Sequence, residues 1–212
     1  MSQKRIEREV VRWESAAKYD AEQGEFAHIF KAVADWVIEN VNVDDEVVEA
    51  GCGNGMIALP VAPHVKRLRG FDISQSMLAA GNQQAESQGI ENVSFDYGDA
   101  YNLNMLANDS VDVVVCSYLF DVVERPSRIL KEVHRILKPG GLILSATDIM
   151  TWELSFKGMI KRRFMRALGK TMTPSYNELI SLHERAGFKV REARRLPVQD
   201  EYENLLVCGV TH

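Results

Sequence analysis

The sequence predicts an α/β domain in which helices cover both faces of a mostly parallel sheet of seven strands. Short β-rich runs alternate with helix-like segments of ten or more residues, so most successive strands pair in parallel through crossover connections. The run VDVVVCS at 111–117 is almost continuously apolar, which is typical of a strand covered on both faces. Only a short connection separates the last two strand-like runs, which predicts one antiparallel strand near the C-terminus.

The elements follow one another in a regular order. Helices are predicted over residues 3–19, 25–40, 75–88, 127–137 and 176–186. Strands are predicted over residues 46–50, 67–73, 93–97, 111–117, 142–146, 189–196 and 203–210. Pro60 and Pro63 are expected to shorten or kink the helix that follows the first strand. Ser74 is an expected N-cap, and Gly89 and Gly187 are expected helix stops.

Composition and charge exclude several classes of protein. A chain of 212 residues suits one α/β domain and is short for two. A net charge of −5 argues against nucleic acid as a partner, and no apolar run reaches the ~20 residues of a membrane span. The charged N-terminus, MSQKRIEREVVRW, does not resemble a signal peptide. The three cysteines form no CxxC motif and the five histidines no metal-ligand pair, so we expect a cytoplasmic protein without a metal.

The strongest local signal is a glycine-rich loop between the first strand and the next helix. It reads Glu49-Ala-Gly51-Cys-Gly53-Asn-Gly55, and glycines spaced by two let the backbone turn tightly and approach a ligand. In doubly wound sheets, ligands bind beyond the carboxyl ends of the strands, where this loop lies. Met56 stands where a dinucleotide-binding G-x-G-x-x-G motif has its last glycine, which argues against an NAD-dependent enzyme.

Acidic residues follow the next two strands at the same edge. Asp72 ends the second strand and is expected to accept hydrogen bonds from the hydroxyls of a ribose. Asp99 ends the third strand and is expected to accept from an adenine amine, with the Ala100 amide donating to the ring. Lys and Arg are absent from these three strand ends, so the predicted ligand carries a cation and hydroxyls rather than a pyrophosphate. A loop or capping role for each aspartate alone is the alternative.

Several motifs together resemble the class I S-adenosylmethionine-dependent methyltransferase family, whose fold is Rossmann-like. EAGCGNG resembles the family's cofactor loop, FDIS followed by Met77 its second motif, and YGDA its third. VDVVVCSYLFDVVERP and RILKPGGLILSAT resemble the fourth strand and the turn into the fifth. The resemblance is dense over residues 44–146 and architectural elsewhere. It implies S-adenosylmethionine as the cofactor and methyl transfer as the activity.

The resemblance also implies a set of cofactor-binding residues. Glu49 is expected to hold the amino group of the cofactor, and the loop residues Gly51, Cys52 and Gly53 to flank its methionine part. Asp72 would bind the ribose. The adenine would contact Ile73, Met77, Asp99 and Ala100. Cys116 and Ser117 would line the methyl-transfer side, with core packing as the alternative for Cys116. Tyr19 would cover the methionine end unless it is a core aromatic.

The acceptor side is less specific in sequence. Tyr118, Asp121 and Glu124 follow the fourth strand and are candidates to face the acceptor, with a helix cap or a loop acid as the alternative and favoured role of Asp121. No catalytic residue is assigned. The stretch at 156–170 mixes basic and apolar residues. It predicts a lid for an apolar or anionic small molecule, a surface that touches membrane lipid, or a lid helix with a solvated basic face.

The predicted organisation is a single methyltransferase domain over residues 1–212. Its parts are an N-terminal helical lid at 1–43, a cofactor-binding core at 44–147, a substrate-side insertion at 148–175 and a C-terminal helix and strand pair at 176–212. A small-molecule acceptor is predicted because the insertion leaves little room for a recognition domain. The alternatives are a catalytically silent S-adenosylmethionine-binding regulator or scaffold, and an RNA or protein methyltransferase. The oligomeric state is not predicted.

Overall fold

The computed structural model describes residues 27–150, 174–199 and 202–212. Its strands, in chain order β1 to β7, are Glu46–Ala50, Arg67–Asp72, Val93–Tyr97, Val111–Ser117, Leu137–Met150, Lys189–Gln199 and Tyr202–Val210. Its helices, α1 to α5, are Ala27–Ile38, Ala58–Val61, Gln75–Gln88, Pro126–Ile136 and Tyr176–Arg185. A 3₁₀ helix, Ala62–His64, follows α2 directly.

The seven strands form one sheet in the order β3-β2-β1-β4-β5-β7-β6. Strands β1 to β5 pair in parallel, and β7 lies antiparallel between β5 and β6. The predicted fold, with one antiparallel strand near the C-terminus, is therefore confirmed. Strand order reverses between β1 and β4, so the carboxyl ends of these two strands flank the crevice where doubly wound folds bind ligands.

Two apolar layers cover the sheet, one on each face. On one side Val33 of α1 and Leu78 of α3 pack with Val113, and on the other Ile129 of α4 and Leu179 of α5 pack with Val114. Consecutive residues of β4 thus enter opposite layers, as the alternation of side chains along a strand requires. This explains why the β4 sequence is apolar without interruption.

Local sequence signals set the helix ends. The Ser74 hydroxyl accepts a hydrogen bond from the Met77 amide, and Gly89 ends α3 in the left-handed conformation with φ of 67°. Ser175 and Glu178 form a reciprocal capping box at the start of α5. Pro60 and Pro63 stand where α2 gives way to the 3₁₀ helix, which confirms the early ending.

Strand β5 differs from the sequence-based prediction, since it begins at Leu137 rather than at residue 142. Leu137 pairs with Val111, and the register then shifts before Leu142 pairs with Val113. The predicted helix at 3–19, Tyr19 and the basic stretch at 156–170 lie outside the described residues. Among the described helices, none has the length and apolarity needed to cross a membrane.

Candidate functional site

The glycine-rich loop is fastened to the end of β2. The amides of Gly51 and Cys52 both donate to the Phe71 carbonyl, at 2.8 and 3.1 Å. Gly51, Gly53 and Gly55 have φ of 74°, 53° and 87°, a region that side chains disfavour. These positive angles turn the chain sharply between β1 and α2, so the loop backbone faces the sheet edge.

The three loop glycines have different surroundings. A Cβ atom on Gly51 would lie 2.8 Å from Leu119 Cδ1, and one on Gly55 would lie 2.6 Å from Phe95 Cζ. At Gly53, by contrast, no atom of the described chain would come within 4 Å of a Cβ. Gly51 and Gly55 therefore serve internal packing, whereas Gly53 leaves its backbone open to a ligand.

Glu49 is a buried carboxyl at the end of β1. Its side chain is 2% exposed, and the Ser117 hydroxyl donates to Oε1 at 2.8 Å. Within the described part of the chain, the buried Oε2 atom has no hydrogen-bond partner. Burial raises the Glu49 pKa to about 8, the Ser117 hydroxyl lowers it, the charge of Asp72 adds a smaller rise, and the Ala58 amide makes a smaller lowering contribution. A cationic donor beside Oε2 would remove the cost of this unpaired buried atom.

Asp72 ties the loop to the start of α3. Its Oδ2 accepts from the Gly53 amide at 3.0 Å, and its Oδ1 accepts from the Ser74 amide at 2.9 Å. Burial raises its pKa, and these amide bonds oppose that rise. Each carboxylate oxygen has a second lone pair, so both can also accept from a ligand hydroxyl.

The predicted adenine-side residues surround the ends of β2 and β3. Asp99 Oδ1 accepts from the Tyr101 amide at 2.9 Å, which fixes the turn after β3. Met77 and Ala100 are buried at 7% and 9% exposure, and Ile73 is partly exposed. The structure thus gathers these residues at one edge of the sheet, while their contact with adenine stays a prediction.

The two predicted thiol contacts are enclosed by protein. Cys52 is 6% exposed, and its Sγ would lie 2.8 Å from a Cβ on Gly70. Cys116 is fully buried in the layer below α4 and α5. Burial raises the pKa of both thiols, so they are uncharged at neutral pH. These positions favour packing roles, and a cofactor contact through either side chain stays a prediction.

The chain turns abruptly after β4, at Tyr118. This residue has φ of 53°, unusual for a side chain of its size, and its amide donates to the Ala146 carbonyl at 2.8 Å. Its hydroxyl donates to Asn204 Oδ1 of β7, and its ring meets Phe30 of α1 edge-on at 5.2 Å. Tyr118 therefore joins β4, β7 and α1 at the carboxyl edge of the sheet.

Two carboxyl groups lie beside this tyrosine. Asp121 Oδ2 accepts from the Asp148 amide at 3.2 Å, and Asn204 Nδ2 donates to Asp148 Oδ1 at 3.0 Å. The other Asp121 oxygen is buried and has no hydrogen-bond partner among the described residues. Burial, with a smaller repulsion from Asp148, raises the Asp121 pKa well above its usual value. Glu124, the third predicted acceptor-side residue, lies exposed further along the same loop.

Sequence reasoning missed Asp148 and Asn204. Asp148 follows the predicted fifth strand, so the rule that selected Asp72 and Asp99 was applicable to it as well. Asn204 has no comparable signal, because its position beside Tyr118 depends on the β5–β7 register, which pairs it with Asp148. No group of three or more His, Cys, Asp or Glu side chains within the described residues is arranged to hold a metal ion.

Two observations at the end of β1 fit a cofactor that has a positive charge and lies close to the backbone of the glycine loop. The unpaired Glu49 oxygen suits an ammonium group, and the open side of Gly53 suits a ligand that approaches the loop backbone. No Lys or Arg occurs between Glu49 and Ile57, so the loop offers a phosphate no cationic side chain.

Comparisons with known proteins agree with this geometry. A sequence profile described as a methyltransferase domain matches residues 48–145. The demethylmenaquinone methyltransferase of Geobacillus stearothermophilus is 30% identical over 169 residues, which cover 76% of this chain and 68% of that protein.

Solved structures share the fold. The YcgJ protein of Bacillus subtilis superposes with a TM-score of 0.72 at 17% identity, covering 86% of this chain and 99% of that one. Magnesium protoporphyrin IX methyltransferase of Synechocystis, solved with bound S-adenosylmethionine, gives a TM-score of 0.67 at 17% identity, over 87% and 79% of the two chains. At such identities the likeness shows the architecture alone.

Proposed function

Because the chain belongs to the class I S-adenosylmethionine-dependent methyltransferase family and its cofactor is S-adenosylmethionine, we propose that it methylates a small apolar ring compound of the quinone type. A relative supports this choice, since the Geobacillus stearothermophilus protein with 30% identity is named for demethylmenaquinone.

We assign the cofactor to the carboxyl ends of β1, β2 and β3. Glu49 binds its amino group, Gly51 and Gly53 flank its methionine part, and Asp72 binds its ribose. Ile73 and Met77 pack on the adenine, which Asp99 and Ala100 recognise at the edge. The observation that carries this assignment is the buried Glu49 oxygen without a described partner, next to the open side of Gly53.

Positioning supplies most of the catalysis in this proposal. The sulfonium of the cofactor makes its methyl group electrophilic, so the protein needs to align the acceptor behind that carbon and exclude water. Correct alignment of two reactants lowers a barrier by up to about 7–11 kcal/mol. The protein therefore needs a base only where the acceptor atom carries a proton.

We place the acceptor beside Tyr118 and Asp121. These residues lie after β4, next to the β1 end, so both ligands share one edge of the sheet. The buried, unpaired oxygen of Asp121 can accept a hydrogen bond from an acceptor hydroxyl. Burial raises its pKa, so the ionised form of Asp121 binds a proton more strongly than an exposed aspartate does.

The first experiment is calorimetric titration of S-adenosylmethionine and, separately, NAD into the purified protein. We expect micromolar binding of S-adenosylmethionine, about −8 kcal/mol, and none of NAD. A screen of quinone-like, small aromatic and amine acceptors follows, with methylated product detected by mass spectrometry. Turnover of a quinone-like ring alone supports the proposal, whereas turnover restricted to amines overturns the acceptor class.

Two further outcomes have defined meanings. Binding of S-adenosylmethionine without turnover of any acceptor supports a regulatory or scaffold role instead. No binding of either S-adenosylmethionine or its demethylated product contradicts the assignment of Glu49 and Asp72 as cofactor ligands.

A further inference from the structure

We propose that Ser117 is a positioning residue for the cofactor, because its hydroxyl fixes one carboxylate oxygen of Glu49 and thereby directs the other to the cofactor's amino group. The inference rests on the proposed role of Glu49 as a cofactor ligand. It adds that the orientation and the ionised form of Glu49 depend on a neighbouring strand, and that cofactor binding releases a proton.

The sheet register brings the two side chains together. Glu49 of β1 pairs with Val115 of β4, and Ser117 lies two residues further along, on the same face of β4 as Val115. The Ser117 oxygen reaches Glu49 Oε1 at 2.8 Å, and both side chains are buried, with exposures of 8% and 2%. A hydroxyl that donates to a carboxylate in a buried site makes a charge-assisted bond.

The hydrogen bond leaves one oxygen of the carboxyl group for a ligand. With Oε1 held by Ser117, rotation of the carboxyl group is restricted, so Oε2 keeps a fixed direction. Oε2 is the atom for which the described residues provide no partner. An ammonium group placed there would form an ion pair with a carboxylate oxygen whose direction is already fixed. A carboxylate free to rotate would have to lose that freedom when the ligand binds.

The environment of Glu49 opposes its ionisation. Burial raises its pKa to about 8 and Asp72 at the end of β2 adds to the rise, whereas the hydrogen bond from Ser117 and a weaker contribution from the Ala58 amide lower it. The other titratable neighbours are the Cys52 and Cys116 thiols, which burial keeps uncharged at neutral pH. Without ligand, burial therefore favours the protonated form of Glu49, while an ammonium ligand needs the carboxylate.

Because Glu49 favours its protonated form without ligand and must be ionised to bind an ammonium group, cofactor binding is predicted to release a proton from Glu49. Glu49 itself releases more protons at pH 7 than at pH 8, and at pH 8 the cofactor's α-amino group, whose ordinary pKa is about 7.7–8.0, takes up part of what Glu49 releases. Removing the Ser117 hydroxyl raises the Glu49 pKa further, so the net release at pH 8 is larger in that variant than in the wild type. Affinity falls at the same time, because the free-state carboxyl group is harder to ionise and its direction is no longer fixed.

The test is calorimetric titration of S-adenosylmethionine at pH 7 and pH 8 in two buffers of different ionisation enthalpy. Ser117→Ala should bind about 10-fold more weakly at pH 8 and release more protons than the wild type. Ser117→Thr keeps a hydroxyl and should restore both values. Ser145→Ala is the matched control, since it removes another buried hydroxyl, one that contacts His183 at 3.1 Å, from the adjacent strand β5.

The outcomes separate this inference from the proposed function. Wild-type affinity and proton release in Ser117→Ala would overturn it, and so would weaker binding with an unchanged release at pH 8, which indicates a purely structural role. Should Ser117→Ala fail to fold, Ser117→Cys keeps a similar volume with a weak donor and should show the same loss. If Glu49→Gln binds as tightly as the wild type, the role of Glu49 itself fails.

Discussion

Glu49 on the proposed cofactor side and Asp121 on the proposed acceptor side each have one buried carboxyl oxygen without a hydrogen-bond partner in the described chain, but the two halves of the site are assembled in different ways. On the cofactor side, Asp72 binds the backbone amides of Gly53 and Ser74, which are close to it in sequence or in the adjoining loop. On the acceptor side, Asp121 lies within a group of side chains from distant strands. Tyr118 contacts Asn204 across 86 residues, and Asn204 contacts Asp148 across 56.

This difference has a chemical meaning. Backbone amides and glycines make a cradle whose shape hardly depends on side-chain identity, which suits a cofactor that never changes. Side chains from β4, β5 and β7 can be replaced one at a time without disturbing the glycine loop, which suits an acceptor that differs between relatives. We therefore expect changes in the two halves to have separable effects.

The largest expected effect is on the cofactor side, at Gly55. Gly55→Ala should lower the free energy of unfolding by about 3 kcal/mol, because the new Cβ overlaps Phe95 and the positive φ disfavours a side chain. Gly53→Ala should cost only about 1–2 kcal/mol, from its φ alone, yet reduce S-adenosylmethionine affinity. Urea denaturation and calorimetry measure both. Equal losses of stability would contradict the distinction between a packing glycine and a ligand-facing one.

Asp72→Ala should weaken S-adenosylmethionine binding at least ~100-fold, because it removes the proposed ribose ligand and the hydrogen bonds to the Gly53 and Ser74 amides. The control is Asp96→Ala, which removes an exposed carboxylate from β3. Calorimetry on both variants measures the effect. Similar affinities for the two would show that the acidic strand ends do not form the cofactor site.

Asp121→Asn should reduce kcat about 10-fold or more for a hydroxyl-bearing acceptor while leaving S-adenosylmethionine affinity unchanged. The substitution keeps the size of the side chain and removes its ability to take a proton. Steady-state kinetics with the acceptor found by screening, together with calorimetry, separates the two quantities. A matching loss of cofactor affinity would mean that the two halves of the site act as one.

The same variant changes how stability depends on pH. The folded-state pKa of Asp121 is raised, so its contribution to stability is complete below the unfolded value of about 4 and is lost as pH rises toward the folded pKa. Asp121→Asn should remove this decline, so the free energy of unfolding of the variant should depend less on pH above about 4 than that of the wild type. Urea denaturation of both proteins between pH 4 and pH 8 measures it. Parallel pH profiles would contradict a raised pKa for Asp121 in the folded protein.

Tyr118→Phe should have the smallest effect, a decrease of about 1 kcal/mol in the free energy of unfolding. The substitution leaves Asn204 Oδ1 without the tyrosine donor but keeps the ring contact with Phe30. We expect a higher KM for the acceptor and an unchanged affinity for S-adenosylmethionine. Thermal denaturation and kinetics measure these values, and a change confined to cofactor binding would place Tyr118 in the other half of the site.

Much of the fold was predictable because its signals are local. The predicted strands at 46–50, 93–97 and 111–117 match β1, β3 and β4 at both ends. Ser74, Gly89 and the two prolines act within a few residues of their own positions, so sequence alone reveals them. The start of β5 was wrong because Leu137 enters the sheet by pairing with Val111, a partner that the periodicity of its own segment does not reveal.

The sequence by itself determined the position of the glycine loop and of the acids near the carboxyl ends of β1, β2 and β3, since each lies within two residues of a strand end. Only the tertiary structure decided which of those acids carries an unpaired oxygen and which group orients it. Glu49 and Ser117 are separated by 68 residues and meet because β1 and β4 are neighbours in the sheet. Likewise, Asn204 reaches Tyr118 only through the pairing of β5 with β7. Such contacts depend on strand order and register, which arise from packing the whole sheet.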